Sequence, residues 1–126
     1  MKPTQRKTKS IAIVDDDEDV RKAVHGVLKV AGLLPRSFAS AEEFLGSGQR
    51  SETACLICDI EMPGMKGLDL QARLAEDGCR IPIIFITAYG DTRTRMRATK
   101  AGALDFLEKP FNDNVLLERI RAALGT

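Results

Sequence analysis

Five residues of the right types for chemistry stand at the ends of four apolar runs. "IAIV" (11 to 14) leads into Asp15 and Asp16, "CLIC" (55 to 58) into Asp59, "IIFIT" (83 to 87) ends in Thr87, and "LDFLE" (104 to 108) leads into Lys109. A charge at the tip of a buried strand is costly unless something compensates it or uses it. If these ends converge, three acids, one hydroxyl and one lysine share a single crevice. Three carboxylates that close repel and raise one another's pKa, and one lysine cannot neutralise them. A hard divalent cation can: magnesium, or manganese in its place, takes oxygen ligands and is commonly held by one or two carboxylates together with a phosphate. The chemistry that fits is attack by a metal-shielded carboxylate on a phosphoryl group whose oxygens Thr87 and Lys109 are placed to bind. Such catalysis is mostly positioning and charge stabilisation.

Convergence needs a scaffold, and the hydrophobic pattern supplies one. A further apolar run, "LLPRSFA" (33 to 39), makes five strand-like segments, and helix-like segments lie between them. Residues 18 to 31 carry Val20, Val24, Val27, Leu28 and Ala31 on one stripe, with acids at the start and Gly32 as C-cap. Residues 40 to 46 open on Ser40 and Glu43, spaced for a capping box. Residues 66 to 77 place Leu68, Gln71, Ala72 and Ala75 at helical spacing; residues 91 to 101 and 113 to 124 complete the set. Five strands alternating with five helices predict an α/β fold, a parallel sheet with helices on both faces. The first, third and fourth runs are unbroken apolar and therefore central, whereas Pro35 with Arg36, and the charged end of the fifth run, mark edges. Right-handed crossovers then favour the order 2-1-3-4-5, with the ligand crevice outside the strand ends where the order reverses, between the first and third strands.

Composition narrows the classes of function. The 126 residues suit one domain, expected over 11–124 after a basic tail at 1–10. Nineteen basic residues face 18 acidic ones, so net charge argues for neither nucleic acid nor membrane as a partner. "IPIIFITA" is too short to span a bilayer, and "MKPTQRKTKS" lacks the apolar stretch of a secretory signal, which predicts a cytoplasmic protein. Cys55, Cys58 and Cys79 suit a reducing compartment. The C-x-x-C pair lies in a strand, where residues three apart face opposite ways, so both cysteines are expected to fill the core rather than bind a metal.

In this order and spacing, "IVDDD", "CDIEMPGMKG", "ITAYG" and "AGALDFLEKPF" resemble the receiver domain of two-component response regulators over residues 11 to 124. That family has the flavodoxin-like, doubly wound fold, so the strand order and the resemblance count as one expectation rather than two. The resemblance implies that Asp59 accepts a phosphoryl group from a sensor histidine kinase, and that Asp15 and Asp16 hold magnesium with Asp59 and a backbone carbonyl of Glu61. It implies contacts from Thr87 and Lys109 to the phosphoryl oxygens, and a switch role for Thr87 and for Phe106 on the fifth strand. The chain would be a signalling receiver, not an enzyme with a turnover product, acting on itself alone. "AGALDFLEKPF" is closest to receivers fused to helix-turn-helix output domains, which implies transcriptional output. The domain itself is not expected to bind nucleic acid: either it stands alone or DNA is met through an output domain outside it.

Other readings stand beside these. Asp17, Glu18 and Asp19 fit an acidic first helical turn favoured by the helix dipole. Pro63, Gly64 and Gly67 read as turn formers. The resemblance to receivers implies that Glu61 and Tyr89 occupy positions that tune the lifetime of the phosphoryl group, in a direction the sequence leaves open. His25 falls off its helix stripe and is expected at the surface. Arg93, Arg97 and Lys100 share a face of the fourth helix, either merely solvated or meeting acidic groups of a partner or a second subunit once phosphorylation remodels that weakly held helix. The rival chemistries are a haloacid-dehalogenase-like phosphatase using Asp15 and Asp17 as D-x-D, and a degenerate receiver that docks without phosphorylation. A flavin module would need a phosphate-cradling loop where the acids stand.

Overall fold

The structure, a computed structural model, describes residues 9–125. The tail expected over 1–10 lies mostly outside them. Five strands, β1 (Ser10–Val14), β2 (Pro35–Phe38), β3 (Thr53–Asp59), β4 (Ile83–Thr87) and β5 (Asp105–Glu108), form one parallel sheet in the order β2-β1-β3-β4-β5. The helices are α1 (Glu18–Val30), α2 (Ala41–Gly46), α3 (Gly67–Glu76), α4 (Thr92–Lys100) and α5 (Asp113–Leu124), with a short 3-10 turn at Arg50–Glu52. The α/β architecture expected from the sequence is the one observed.

Alternation along the central strands builds two cores. Ala12, Val14, Leu56, Cys58 and Phe85 face Phe44 of α2, Leu70 and Leu74 of α3, and Ala98 of α4. Ile11, Ile13, Cys55, Ile57, Ile84 and Ile86 face Val24 and Leu28 of α1 and Leu116 and Ile120 of α5. Each fully buried aliphatic side chain contributes about 1.5–3 kcal/mol, so the two cores anchor the ends of the three central strands firmly. Cys55 and Cys58 sit in opposite cores, and burial pushes the Cys55 thiol up to about 12 and the Cys58 thiol higher still. Both are inert packing groups, as the strand periodicity predicts.

The local signals were met with adjustments. Asp17 is the N-cap of α1, accepting from Asp19 and Val20 N–H, and Gly32 lies one place beyond the cap at φ +80, where its N–H donates to Lys29 and that of Leu33 to Leu28. This closing pair of bonds needs a left-handed residue, which glycine supplies without strain. Ser40 caps α2 at 3.0 Å to Glu43 N–H, but Glu43 reaches Ala39 N–H at 2.7 Å instead of closing the box on Ser40. His25 lies off the buried stripe, as expected, and is half-buried at the surface, with its Nδ1 3.4 Å from Ser37 Oγ on the edge strand. The α3 stripe is also corrected. Leu70, Gln71 and Leu74 are buried, whereas Ala72 and Ala75 are exposed and Leu68 is half-buried. The two stripes lie side by side on the helix, and the one carrying two leucines buries more apolar area.

Candidate functional site

Strand register brings the acids together. Val14 pairs with Cys58, so Asp15 and Asp59 follow side by side; Asp59 pairs with Ile86 and Thr87 with Glu108, which sets Lys109 just past the same edge. Asp15 is fully buried and Asp59 is 5% exposed. Lys109 Nζ donates to both, at 3.0 Å to Asp15 Oδ2 and 3.2 Å to Asp59 Oδ2. The remaining oxygens accept from the backbone: Asp15 Oδ1 from Asp17 N–H at 2.9 Å, and Asp59 Oδ1 from Glu61 N–H at 3.2 Å. Arg21 adds a bond to the Asp15 carbonyl at 2.8 Å, which ties the first turn of α1 to the site.

The electrostatics are unbalanced. Burial first, and then the charge of Asp15, push the Asp59 carboxyl up to about 6 against the opposing pull of Lys109 and of the Glu61 N–H. Burial alone would lower the Lys109 ammonium, but its bonds and charge contacts with Asp15 and Asp59 outweigh that and hold it above its ordinary value. Exposed Asp16 completes a cluster in which one oxygen from each of Asp15, Asp16 and Asp59 lies within 4.8 Å of the others. Three carboxylates against one ammonium leave room for two positive charges, and an all-oxygen donor set suits a hard divalent cation. The residues therefore fit a metal ion.

A family model described as "Response regulator receiver domain" matches residues 11–121. The chain belongs to the response regulator receiver family. Among its relatives, the receiver is 48% identical over 114 residues to the response regulator protein TodT of Pseudomonas putida, covering 90% of this chain and 50% of TodT. It is 44% identical over 121 residues to nodulation protein W of Bradyrhizobium diazoefficiens, covering 95% of this chain and 53% of that protein. The chain thus spans about half the length of the curated relatives it matches. Among solved structures, the crystal structure of FixJ-N superposes with a TM-score of 0.82 at 38% identity, covering 95% of this chain and 94% of that one. The response regulator StyR gives 0.87 at 41%, covering 94% and 60%. Membership in this family displaces the phosphatase and flavin readings.

The other expected residues of the receiver are distributed around this pocket. Thr87 is buried at the end of β4, but its hydroxyl is engaged with the backbone of Tyr89, donating to the carbonyl at 3.3 Å and accepting from the N–H at 3.2 Å. Glu61 touches Asp59 only through its N–H; its side chain is exposed and pairs with Lys66 at 3.4 Å. Phe106 is 4% exposed, outside the acidic pocket, with the Arg95 guanidinium 5.2 Å above its ring. Tyr89 is 83% exposed.

Three contributors escaped the sequence reading. Arg95 lies off the basic face of Arg93, Arg97 and Lys100 and covers Phe106 instead. Gln71, which read as one member of a stripe, is buried and donates to the Ala98 carbonyl of α4 at 3.1 Å. Glu42, to which the sequence assigned no role beside Ser40 and Glu43, reaches 23 residues along the chain to accept from Met65 N–H at 2.9 Å. No helix among the described residues is long and apolar enough to cross a membrane.

Proposed function

We propose that Asp59 is the phosphoacceptor of this receiver, taking the phosphoryl group from a phosphohistidine of a sensor kinase. One observation carries this reading: Asp59, at the tip of β3, shares the Lys109 ammonium with fully buried Asp15. In the transfer the kinase's N–P bond breaks and an O–P bond to Asp59 forms. With its carboxyl near 6, Asp59 is mostly ionised at neutral pH and available as the nucleophile. Asp15, Asp16, Asp59 and the Glu61 carbonyl would hold magnesium, which when bound neutralises charge on the carboxylates and on the transferring group.

Lys109 then exchanges one carboxylate contact for a phosphoryl oxygen. The Thr87 hydroxyl can bind another oxygen only by leaving the Tyr89 backbone. That exchange couples the site to the loop before α4 and, through Phe106 beneath Arg95, to α4 itself, so modification shifts a two-state equilibrium. Only its own phosphorylation and slow loss of the phosphoryl group to water are catalysed, with Glu61 and Tyr89 flanking the path of that water. The receiver unit runs over 11–124 in a cytoplasmic protein, and its output is transcriptional, consistent with relatives such as the transcriptional regulatory protein FixJ of Rhizobium meliloti. Contact with DNA is left to an output domain, and the α4–β5 face carries a phosphorylation-dependent homodimer.

The test is intact-mass spectrometry after incubation with acetyl phosphate and magnesium. A single phosphoryl adduct that needs both the metal and Asp59 is expected. No adduct would leave a docking module as the better reading, and one that survives Asp59→Asn would move the chemistry to Asp15.

A further inference from the structure

Between Asp59 and α3 the chain runs through "IEMPGMK", and its shape is fixed at few points. At the near end Asp59 Oδ1 holds Glu61 N–H, and Gly67 N–H donates back to the Ile60 carbonyl at 3.0 Å. At the far end Asp69 of α3 accepts from Lys66 N–H at 3.2 Å, and the bend before it is bonded by Glu42 of α2. Its Oε2 accepts from Met65 N–H at 2.9 Å. The same carboxylate fills the space beside Gly64, where an added Cβ would stand 2.6 Å from Oε2 and 3.4 Å from Cδ.

The mount of Glu42 is rigid although its side chain is exposed. It sits in the first turn of α2 between Ala41 and Phe44, both fully buried, and Phe44 packs edge-on against Phe38 at 5.3 Å. Helix capping does not use Glu42, since Ser40 and Glu43 already perform it. A carboxylate on a fixed helix, gripping the bend of a loop whose first residues lie against Asp59, constrains where the Glu61 backbone stands.

We infer that Glu42 is a positioning residue for the phosphorylation site: by holding Met65 N–H it sets the β3–α3 loop so that the Glu61 carbonyl is presented beside Asp59. This rests on the function proposed above. Residues that orient metal ligands from outside the coordination sphere typically change metal affinity by about 10- to 100-fold when removed. Glu42→Ala should weaken binding toward the lower end of that range, because the bond is exposed, while Glu42→Gln retains an acceptor oxygen and should stay within about twofold of the native protein.

The experiment is calorimetric titration with magnesium alone, alongside amide NMR spectra of the metal-free protein. Glu42→Ala is expected to raise the magnesium dissociation constant about tenfold and to shift the Glu61 amide as well as that of Met65. Glu42→Gln should restore both. A magnesium affinity unchanged in Glu42→Ala, or a disturbance confined to Met65, overturns the inference while leaving the proposed function standing. A native protein that binds no magnesium overturns both, and the native titration separates that case from the others. A fall in thermal stability with no change in affinity would show a structural contact only and would likewise overturn it.

Discussion

Lys109 Nζ stands 3.2 Å from Asp59 Oδ2, although β4 lies between the strands that carry them. The ammonium, following the edge strand β5, reaches across a neighbour to a carboxylate on the central strand and continues to Asp15 on the far side. One cation carried past β5 therefore ties together the ends of β3 and β1, a reach across four adjacent strands. The pocket is held together by a charge that falls short of balancing it.

That shortfall makes Asp59 destabilising at neutral pH. Its folded carboxyl titrates at about 6 against an ordinary 3.8, so between those values the folded state binds protons that the unfolded chain releases. Stability must then fall as pH rises through this window and remain lowered above it. A shift of roughly two units corresponds to about 3 kcal/mol at 1.36 kcal/mol per unit, an upper figure once local relaxation is allowed. Asp59→Asn is expected to gain about 1–3 kcal/mol at pH 7 in urea unfolding without metal, and to lose that advantage below pH 3.8. Equal stability of the two proteins at pH 7 would contradict the burial argument.

Lys109 has the opposite sign. Its ammonium is held above the ordinary 10.5, so its stabilisation is complete below that pH and fades as pH rises through the folded value. Lys109→Met leaves Asp15 and Asp59 buried without a cation, and breaking such a pair typically costs about 3–5 kcal/mol. Because the lysine side chain is 18% exposed, the expected loss is nearer about 2–3 kcal/mol at pH 7. Acidification that protonates Asp59 should recover part of it, as should magnesium. Urea midpoints at pH 7 and pH 5, with and without the metal, measure both.

Much of this was legible because the site lies on strand ends. Unbroken apolar runs mark central strands, and the residue that follows each run is the residue at the crevice, so Asp15, Asp59, Thr87 and Lys109 could be placed from pattern alone. What was missed acts through side chains between elements. Nothing in "SAEE" tells which glutamate caps its own helix and which crosses to Met65, since both offer the same acceptor. The α3 face was assigned one stripe off because alanines score as apolar while burying little. Gln71 was hidden for a related reason: a polar residue facing the core is recognised only when its partner, here a carbonyl of α4, is seen.

That partner gives α4 an unusual attachment. Ala98 is its only buried residue, and the Ala98 carbonyl accepts from Gln71 Nε2 as well as from Ala103 N–H. Gln71→Leu keeps the carbonyl satisfied by Ala103 but removes the tie from α3, a loss of about 1 kcal/mol. Amide hydrogen exchange should quicken several-fold across Thr92–Lys100 and little in β1 or β3. Uniform acceleration across the protein would show instead that the bond supports the fold as a whole.

Gly67 offers the most direct steric test of how the site is fixed. A Cβ there would stand 2.4 Å from the Asp59 carbonyl oxygen and 3.0 Å from Ile60 Cα, contacts with backbone that cannot rotate away. Relief requires moving the strand end that bears Asp59, so Gly67→Ala should cost about 2–3 kcal/mol, in the range of overpacked cores. Phosphorylation by acetyl phosphate should slow as well, because the acceptor itself is displaced. Gly26 is the control. It lies within α1 with nothing within 4 Å of an added Cβ, so Gly26→Ala should stabilise the protein by about 0.5–1 kcal/mol through helix propensity. Opposite signs for the two substitutions in thermal unfolding, with phosphorylation impaired only by the first, would locate the constraint at Asp59; matching signs would remove the steric argument.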